Sequence, residues 1–257
     1  MRTAILIFLI LILGKGAWCS TKSVTYAGYN NPPYYMLDGS SGITGAFFEI
    51  MTHVCTLEKF NCKFTIRPIR EALEKTQAGE VDIAGPFGWT SHRQLSFYYS
   101  PPLFDTSFTF FGLEKNVRNI KTYEDLKGLR IGTVAPSLSM ISLQKINEVL
   151  NGKIKIVEEK EPVTSLKMTL QNSYPLAYIN REMALYWVRE KKSKLVEVPD
   201  LGESFSVHII FSKKLFSKDE FTRIQKRFNE LIDNKTIETI GKKYNLKPAA
   251  ATVPAPE

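Results

Sequence analysis

Apolar and polar residues follow each other along the chain with two spacings, one typical of strands and one typical of helices. In the first part of the chain, a strand pattern and a helical pattern succeed each other twice. The segments are residues 23–29 (strand), 46–59 (helix), 63–67 (strand) and 69–78 (helix). This alternation predicts an α/β unit, in which helices cover a sheet.

The same alternation returns further along the chain. Its segments are residues 129–134 (strand), 137–150 (helix), 154–157 (strand), 162–171 (helix), 176–179 (strand) and 180–191 (helix). Two aromatic β-type runs, residues 106–113 and 206–212, flank this second unit. Paired runs on either side of an inserted unit predict two crossover strands that join two α/β units.

The last helical pattern spans residues 218–244 and is interrupted near Asn234. One face of it is apolar, so we expect it to pack back on the first unit. That face carries Phe221, Ile224, Phe228, Leu231 and Ile232. Residues 248–257 contain three prolines, four alanines and one charge, and we expect them to form a disordered tail.

Residues 1–19 are typical of a secretory signal peptide. Arg2 precedes an uncharged apolar run over residues 4–13, which is too short for the ~20 residues of a spanning helix. Small residues at 17 and 19 favour cleavage after Cys19. The alternative is a lipoprotein acylated at Cys19, although Trp18 is bulky where such sites have a small residue. We therefore expect an exported, periplasmic protein.

The composition is that of a folded globular protein. Of 257 residues, 44% are hydrophobic and 23% charged, which excludes collagen, a disulfide mini-protein and a disordered chain. The net charge is +8, and removal of Arg2 and Lys15 with the signal peptide leaves +6. A modest positive charge suits an anionic small ligand or a nucleic acid. Export from the cell makes a nucleic-acid partner remote, so we expect the protein to bind no nucleic acid.

Cys55 and Cys62 are the cysteines that remain after cleavage, with six residues between them. In an oxidising compartment we expect them to form a disulfide, with two free thiols as the alternative. His53 is the only histidine near them, and two cysteines with one histidine lack a fourth ligand for a metal. The sequence therefore predicts no metal site and no cofactor.

Several short motifs, in order, resemble one protein family over nearly the whole chain after residue 19. The motifs are Asn-Pro-Pro-Tyr at 31–34, Asp-Gly at 38–39, Gly-Ile-Thr-Gly-Ala-Phe at 42–47, Gln-Ala-Gly-Glu-Val-Asp-Ile at 77–83, Thr-Ser-His-Arg at 90–93, residues 97–101, and Tyr-Glu-Asp-Leu-Lys-Gly-Leu-Arg-Ile-Gly at 123–132. They resemble bacterial extracellular solute-binding proteins of family 3, the periplasmic amino-acid-binding components of ABC importers. The spacing of Cys55 and Cys62 is similar to that of a disulfide in some members.

The resemblance implies a type II periplasmic-binding-protein fold, with two α/β lobes joined by two crossover strands and a ligand cleft between them. We expect lobe 1 to comprise residues 20–112 and 205–247, and lobe 2 to comprise residues 113–204. The implied function is capture of a small molecule by hinge closure, because a ligand that contacts both lobes stabilises the closed form. The implied partner is an ABC transporter permease or a sensor, and we expect a monomer.

Arg93 is the foremost candidate for ligand binding. In similar proteins the arginine of the Thr-x-x-Arg motif clamps the ligand carboxylate, and a planar guanidinium offers paired donors to such a group. The segment before it contributes Gly85, Gly88, Trp89 and Thr90, whose small residues let backbone groups approach a ligand. Aromatic and polar wall candidates are Asn31 and Tyr34, together with Tyr29 and Phe87.

Lobe 2 departs from the family pattern at two places. Ser137 stands in the loop where relatives have a Gly-Thr-Thr sequence, and it is either a ligand contact or a helix N-cap. Relatives that bind α-amino acids place an aspartate at a position that corresponds here to Tyr178 or Asn180, so the carboxylate is absent unless Glu182 substitutes. The expected ligand is a carboxylate-bearing molecule, an amino acid or a derivative.

The main alternative is a periplasmic enzyme, because a few proteins similar to this family are dehydratases that act on a carboxylate in the same cleft. Such chemistry needs a positioned acid or base, for which His92 and Glu182 are the candidates. Without a recognisable catalytic arrangement in the sequence, we expect a binding protein with no catalytic residues.

Overall fold

The computed structural model describes residues 21–39 and 42–250. The predicted signal peptide, with Cys19, therefore lies outside the described residues. The elements up to the middle of the chain are β1 (Ser23–Gly28), β2 (Met36–Asp38), β3 (Gly42–Thr44), α1 (Ala46–Glu58), β4 (Asn61–Ile66), α2 (Ile69–Ala78), β5 (Ile83–Gly88), α3 (Ser91–Gln94), β6 (Phe97–Tyr99) and β7 (Phe104–Leu113).

The remaining elements follow in the same alternating manner. They are α4 (Glu114–Val117), a 3-10 turn (Tyr123–Leu126), β8 (Arg130–Val134), α5 (Leu138–Val149), β9 (Lys155–Glu159), α6 (Pro162–Leu170), β10 (Leu176–Asn180), α7 (Arg181–Glu190), β11 (Leu195–Ser212), α8 (Lys218–Asp233), α9 (Thr236–Tyr244) and β12 (Lys247–Pro248). Most of the helices and strands predicted from the spacing of apolar residues agree with these bounds to within two residues.

One continuous sheet joins the two lobes, in the strand order β4-β1-β5-β11-β7-β10-β8-β9. In lobe 1, β1 pairs in parallel with β4 and β5, and in lobe 2, β8 pairs in parallel with β9 and β10. The long strands β7 and β11 are antiparallel to each other, and each continues from one lobe into the other. The two predicted crossover strands are thus confirmed.

The crossover strand β11 begins at Leu195, eleven residues earlier than predicted. In its first half, which pairs with β7, the buried apolar residues recur every third residue rather than every second one, and Pro199, Asp200 and Gly202 interrupt the strand pattern in the sequence. An irregularity between Glu197 and Gly202 puts extra residues into β11 and sends Val198 and Leu201 into the core of lobe 2. The strand is therefore longer and more irregular than its apolar pattern indicates.

The C-terminal helices cover lobe 1, as expected. Helix α8 begins at a capping box formed by Ser217 and Glu220, and its apolar face is buried against the lobe 1 core. Asn234 is its C-cap, which confirms the predicted break. At the end of α1 the carboxylate of Glu58, only 2% exposed, accepts hydrogen bonds from Arg223 and Arg227, which ties α8 to α1.

The disordered tail does not begin at Pro248 as predicted. Lys247 and Pro248 form β12 against β7, and the amide of Ala249 donates a hydrogen bond to the carbonyl of Leu103. Pro248 is tolerated there because β12 is an edge strand with few ladder bonds to lose. Residues 251–257 lie outside the described residues.

Among residues 21–39 and 42–250, none of the helices has the length and apolar character needed to cross a bilayer.

The predicted disulfide is present between Cys55 and Cys62, whose Cα atoms are 6.2 Å apart. It links the last turn of α1 to the start of β4. Lys59 between them adopts a left-handed conformation with φ 56°, which ends the helix and turns the chain toward the sheet.

The double variant Cys55→Ala/Cys62→Ala is expected to lower the free energy of unfolding by about 2.5 kcal/mol, because the cross-link closes a short loop in the unfolded chain. Urea unfolding of the variant and of the oxidised protein measures this difference. Identical midpoints would show that the cross-link contributes nothing.

His208 provides a pH prediction. It is buried in β11, and its Nδ1 lies 2.9 Å from the Ser100 carbonyl. Burial lowers the pKa of His208 below its ordinary value of 6.5. The unfolded chain therefore binds a proton below pH 6.5 that the folded protein does not, so stability falls as the pH drops from 7 toward 5.5.

His208→Asn is expected to flatten this dependence of the urea midpoint on pH. The control is His53→Asn, because His53 is exposed on α1. A pH slope unaltered by His208→Asn would contradict the assignment.

Candidate ligand-binding cleft

A cleft of about 320 Å³ lies between the two lobes. Lobe 1 contributes the segments that follow β1, β4 and β5, and lobe 2 contributes those that follow β8, β9 and β10. Each of these strands is parallel to its neighbour within the lobe, so their carboxyl ends meet at one edge. Ligands in open α/β sheets bind at such an edge. The crossover strands form the floor through Phe108, Phe205 and Val207.

Arg93 lies in the lobe 1 wall of the cleft. Its Nη1 donates a hydrogen bond to the Gly88 carbonyl at 3.1 Å, and its guanidinium carbon lies 5.3 Å from the centre of the Phe87 ring. Among the described residues it has no carboxylate partner. Burial lowers the pKa of the guanidinium, while the tyrosines at 99 and 29 act in the opposite direction. Arginine stays charged, so this wall presents a partly desolvated cation.

Helix α3 positions Arg93. The hydroxyl of Thr90 accepts a hydrogen bond from the Arg93 backbone amide at 3.1 Å, which makes Thr90 the N-cap of this four-residue helix. The cap holds the arginine at a fixed point after β5. Thr90 itself does not line this cleft, although it lines a neighbouring cavity together with His92 and Arg93.

The middle of the cleft is apolar. The rings of Phe108 and Phe205 lie 4.4 Å apart, and those of Tyr29 and Phe87 lie 5.6 Å apart. From lobe 2, Leu138 reaches across to Gly88, where an added Cβ would come within 2.6 Å of the Leu138 Cδ1. The lobes therefore come close at Gly88, where an added side chain would require the end of Leu138 to move aside.

Two polar candidates of lobe 2 line the cleft but also cap helices. The hydroxyl of Ser137 donates to the Val134 carbonyl at 2.5 Å and accepts from the Met140 amide at 3.2 Å, at the start of α5. The side chain of Asn180 donates to Thr106 at 2.8 Å and accepts from the Met183 amide at 3.0 Å. Both side chains therefore serve as helix caps and also lie in the cleft lining.

The cleft brings together five of the ten predicted ligand-binding residues. These are Asn31, Gly88, Arg93, Ser137 and Asn180. Gly85 lies inside β5, where a Cβ would come within 2.8 Å of the Tyr26 hydroxyl. Trp89 is 38% exposed outside the cleft. Residues 85–88, which belong to the segment that precedes Arg93, form the end of β5, and this strand pairs with β11.

Tyr34 and Glu182 also lie away from the cleft lining. Tyr34 is fully buried in the lobe 1 core against Phe47 and Phe104. Glu182 accepts a hydrogen bond from Thr106 on the crossover strand and pairs with Arg181. Its side chain, 13% exposed, connects lobe 2 to β7 rather than pointing at a ligand.

Two charged residues of the cleft were not predicted as ligand-binding. Arg67 directly follows β4 and pairs with Glu71 at 2.6 Å. Glu161 precedes α6, whose first residue is Pro162. The only signal for Glu161 in the sequence is an acid directly before a proline at a helix start, which is also typical of a solvated helix end. No cluster of three or more His, Cys, Asp or Glu residues suited to a metal lies within the part of the chain that the structure describes.

Two lobes in one sheet, with a cleft at the strand ends, define a ligand-binding protein of the type II periplasmic-binding class. The sequence matches the family of bacterial extracellular solute-binding proteins, family 3, over residues 24–247, and the chain belongs to that family. No curated protein sequence matches it.

Solved structures with the same fold share little sequence with this chain. An ancestral arginine-binding protein bound to arginine has a TM-score of 0.77 at 17% identity, covering 86% of this chain and 97% of its own. A putative L-cystine ABC transporter from Listeria monocytogenes has a TM-score of 0.77 at 20% identity, covering 87% and 96%. A histidine kinase sensor domain similar to periplasmic binding proteins has a TM-score of 0.77 at 17% identity, covering 89% and 99%.

Thr90→Ala is expected to lower the free energy of unfolding by about 1 kcal/mol, because α3 loses its side-chain cap. Thr90→Ser, which keeps the accepting hydroxyl, is the matched control and is expected to unfold at the wild-type midpoint in urea. Equal midpoints for all three proteins would show that the cap does not hold α3.

Proposed function

We propose that this protein captures a small carboxylate-bearing solute, an amino acid or a derivative, between its two lobes by hinge closure. It does so as a periplasmic monomer and hands the solute to an ABC transporter or a sensor. The observation that carries the proposal is Arg93, a partly desolvated guanidinium in the cleft wall with no carboxylate partner among the described residues.

A carboxylate ligand satisfies this guanidinium better than water does inside a closed cleft. One Nη1 hydrogen bond goes to the Gly88 carbonyl, and the other donors of the planar group remain for a bidentate contact. The Phe87 ring beside the guanidinium holds its plane. Charge-assisted bonds of this kind strengthen when closure excludes water.

Delivery to a transporter or a sensor is supported by solved structures with this fold. One is the putative L-cystine ABC transporter, and another is the histidine kinase sensor domain. Both uses depend on the same event, because each requires a partner to distinguish the closed form from the open form.

The enzyme alternative has less support from the cleft. One neighbour, at a TM-score of 0.75 and 14% identity, is described as an ancestral amino acid-binding protein that is a precursor of cyclohexadienyl dehydratase. The two acid–base candidates named for such chemistry, His92 and Glu182, do not line the main cleft. Capture without chemical conversion is therefore the better account of these residues.

A thermal-shift screen of residues 20–257 against amino acids, their derivatives and small carboxylates tests the proposal. A ligand at 100 times its Kd is expected to stabilise the protein by about 2.7 kcal/mol. Arg93→Ala is expected to abolish the shift. Arg70→Ala is the matched control, because Arg70 lies on the same lobe but is exposed and pairs with Glu74 at 2.7 Å.

If the ligand-induced thermal shift were lost in both Arg93→Ala and Arg70→Ala, the loss would not be specific to Arg93, and a role of Arg93 in binding the carboxylate would not follow. Stabilisation only by compounds that lack a carboxylate, or by none of the compounds, would contradict capture of a carboxylate. Conversion of the added compound to a product during incubation would favour the enzyme.

A further inference from the structure

The end of lobe 2 that lies opposite the cleft carries a cluster of exposed cations. The cleft is at the carboxyl ends of β8 and β9, whereas the cluster lies at their amino ends and in the segments that lead into them, residues 118–129 and 151–154. Six exposed cations form this cluster, which we call the basic end of lobe 2: Arg118, Lys121, Lys127, Arg130, Lys153 and Lys155.

Backbone hydrogen bonds bring the two segments together. The amide of Gly128 donates to the Lys153 carbonyl at 2.8 Å, and the amide of Lys155 donates to the Leu129 carbonyl at 2.8 Å. In the parallel pairing of β8 with β9, Arg130 is the register partner of Lys155. Neighbouring strands lie about 5 Å apart, and registered residues point to the same face. Two like charges therefore lie side by side and repel each other.

The acids of these segments compensate little of the positive charge. Residues 118–130 and 151–155 contain six cations and two acids, which leaves a net charge of +4. Glu124 pairs with Lys127, and the carboxylate of Asp125 accepts hydrogen bonds from the backbone amides of Lys121 and Thr122. The five cations other than Lys127 form no ion pair within residues 21–39 and 42–250.

Several cations at the corresponding end of lobe 1, by contrast, are paired. Lys22, just before β1, pairs with Glu220 at 3.0 Å. Arg223 and Arg227 on α8 both pair with Glu58, which lies at the end of α1. Clustered like charges destabilise a compact state through their repulsion. The repulsion at the basic end of lobe 2 is therefore left for solvent ions or an anionic partner to screen.

The composition of this end suits a lipid surface. The amide of Gly152 donates to the Asn147 carbonyl at 2.8 Å, which places the last turn of α5 beside the second segment. In that turn Val149 is 80% exposed. Lysine and arginine stems are long enough to reach lipid phosphates from a convex surface, and an apolar side chain among them can enter the headgroup layer. A protein partner would need a surface of matching shape, whereas a bilayer needs only the charge.

We infer that the basic end of lobe 2 docks on a bilayer that contains anionic phospholipid. Because this end lies opposite the cleft, docking leaves the cleft open to solutes. The inference goes beyond the proposed function, since it does not depend on which solute the cleft holds. Each cation near an anionic bilayer adds to the attraction, and salt weakens it.

Cosedimentation of residues 20–257 with lipid vesicles tests the inference. One set of vesicles is an equimolar mixture of phosphatidylcholine and phosphatidylglycerol, and the other is phosphatidylcholine alone. The protein is expected to bind the mixed vesicles and not the neutral ones. Its affinity for the mixed vesicles is expected to fall at least about tenfold between about 0.05 M and about 0.5 M NaCl, because salt screens exposed charges.

The double variant Lys153→Glu/Lys155→Glu is expected to bind the mixed vesicles at least about tenfold more weakly than the wild type. The matched control is Lys218→Glu/Lys226→Glu, which changes the net charge equally on exposed positions of α8 in lobe 1. The control is expected to keep most of the wild-type affinity. Cooperative melting of both variants without vesicles separates a docking effect from a folding effect.

An equal loss in both double variants would overturn the inference, because total charge rather than the basic end would then explain binding. Equal binding to both kinds of vesicle, or binding that salt leaves unchanged, would also overturn it. Absence of binding to the mixed vesicles would overturn lipid docking, and salt-sensitive binding to poly-L-glutamate in its place would favour an acidic protein partner. Solute capture is tested separately by the thermal shift with Arg93→Ala.

Discussion

The hydrogen bonds between β7 and β11 hold the whole arrangement together. These two strands pair from Phe104 and Val207 in lobe 1 to Leu113 and Leu195 in lobe 2, so both lobes belong to one sheet. Strands β5 and β10 attach to opposite sides of this pair. Because the parallel strands of each lobe end at the same edge, the pairing fixes which loops face each other. The cleft is therefore a consequence of sheet order, and the chemistry of its walls depends on which side chains happen to follow each strand.

The walls are unequal in charge. Lobe 1 offers Arg93, held by the Gly88 carbonyl and the Phe87 ring, whereas lobe 2 offers Glu161 at the rim and otherwise mostly groups that already serve as helix caps. Neither charge has a partner within the described chain, and burying either one alone costs free energy. Closure that buries Arg93 further therefore costs free energy unless a ligand neutralises its guanidinium, whereas the exposed Glu161 keeps its hydration.

The architecture could be predicted from the sequence because apolar spacing reports burial, and both lobes bury their strands and helix faces. The exceptions have physical reasons. The first half of β11 was missed because its buried residues, such as Val198 and Leu201, do not alternate with a period of two, and Pro199 and Gly202 are typical of turns. Tyr34 was assigned to the ligand wall, but it is buried in the core of lobe 1. The sequence does not distinguish an aromatic residue that packs in a core from one that lines a cavity. Glu161 was missed because it lies in an acidic stretch, and the sequence does not show which acid the sheet brings to the cleft.

The approach of Leu138 to Gly88 also affects how the angle between the lobes depends on the size of a bound ligand. Leu138 of lobe 2 already lies close to Gly88 of lobe 1, so a ligand thicker than the present cleft has to separate these two residues. The angle between the lobes then depends on the size of the ligand that lies between them. A partner that recognised only one angle would respond to one size of solute.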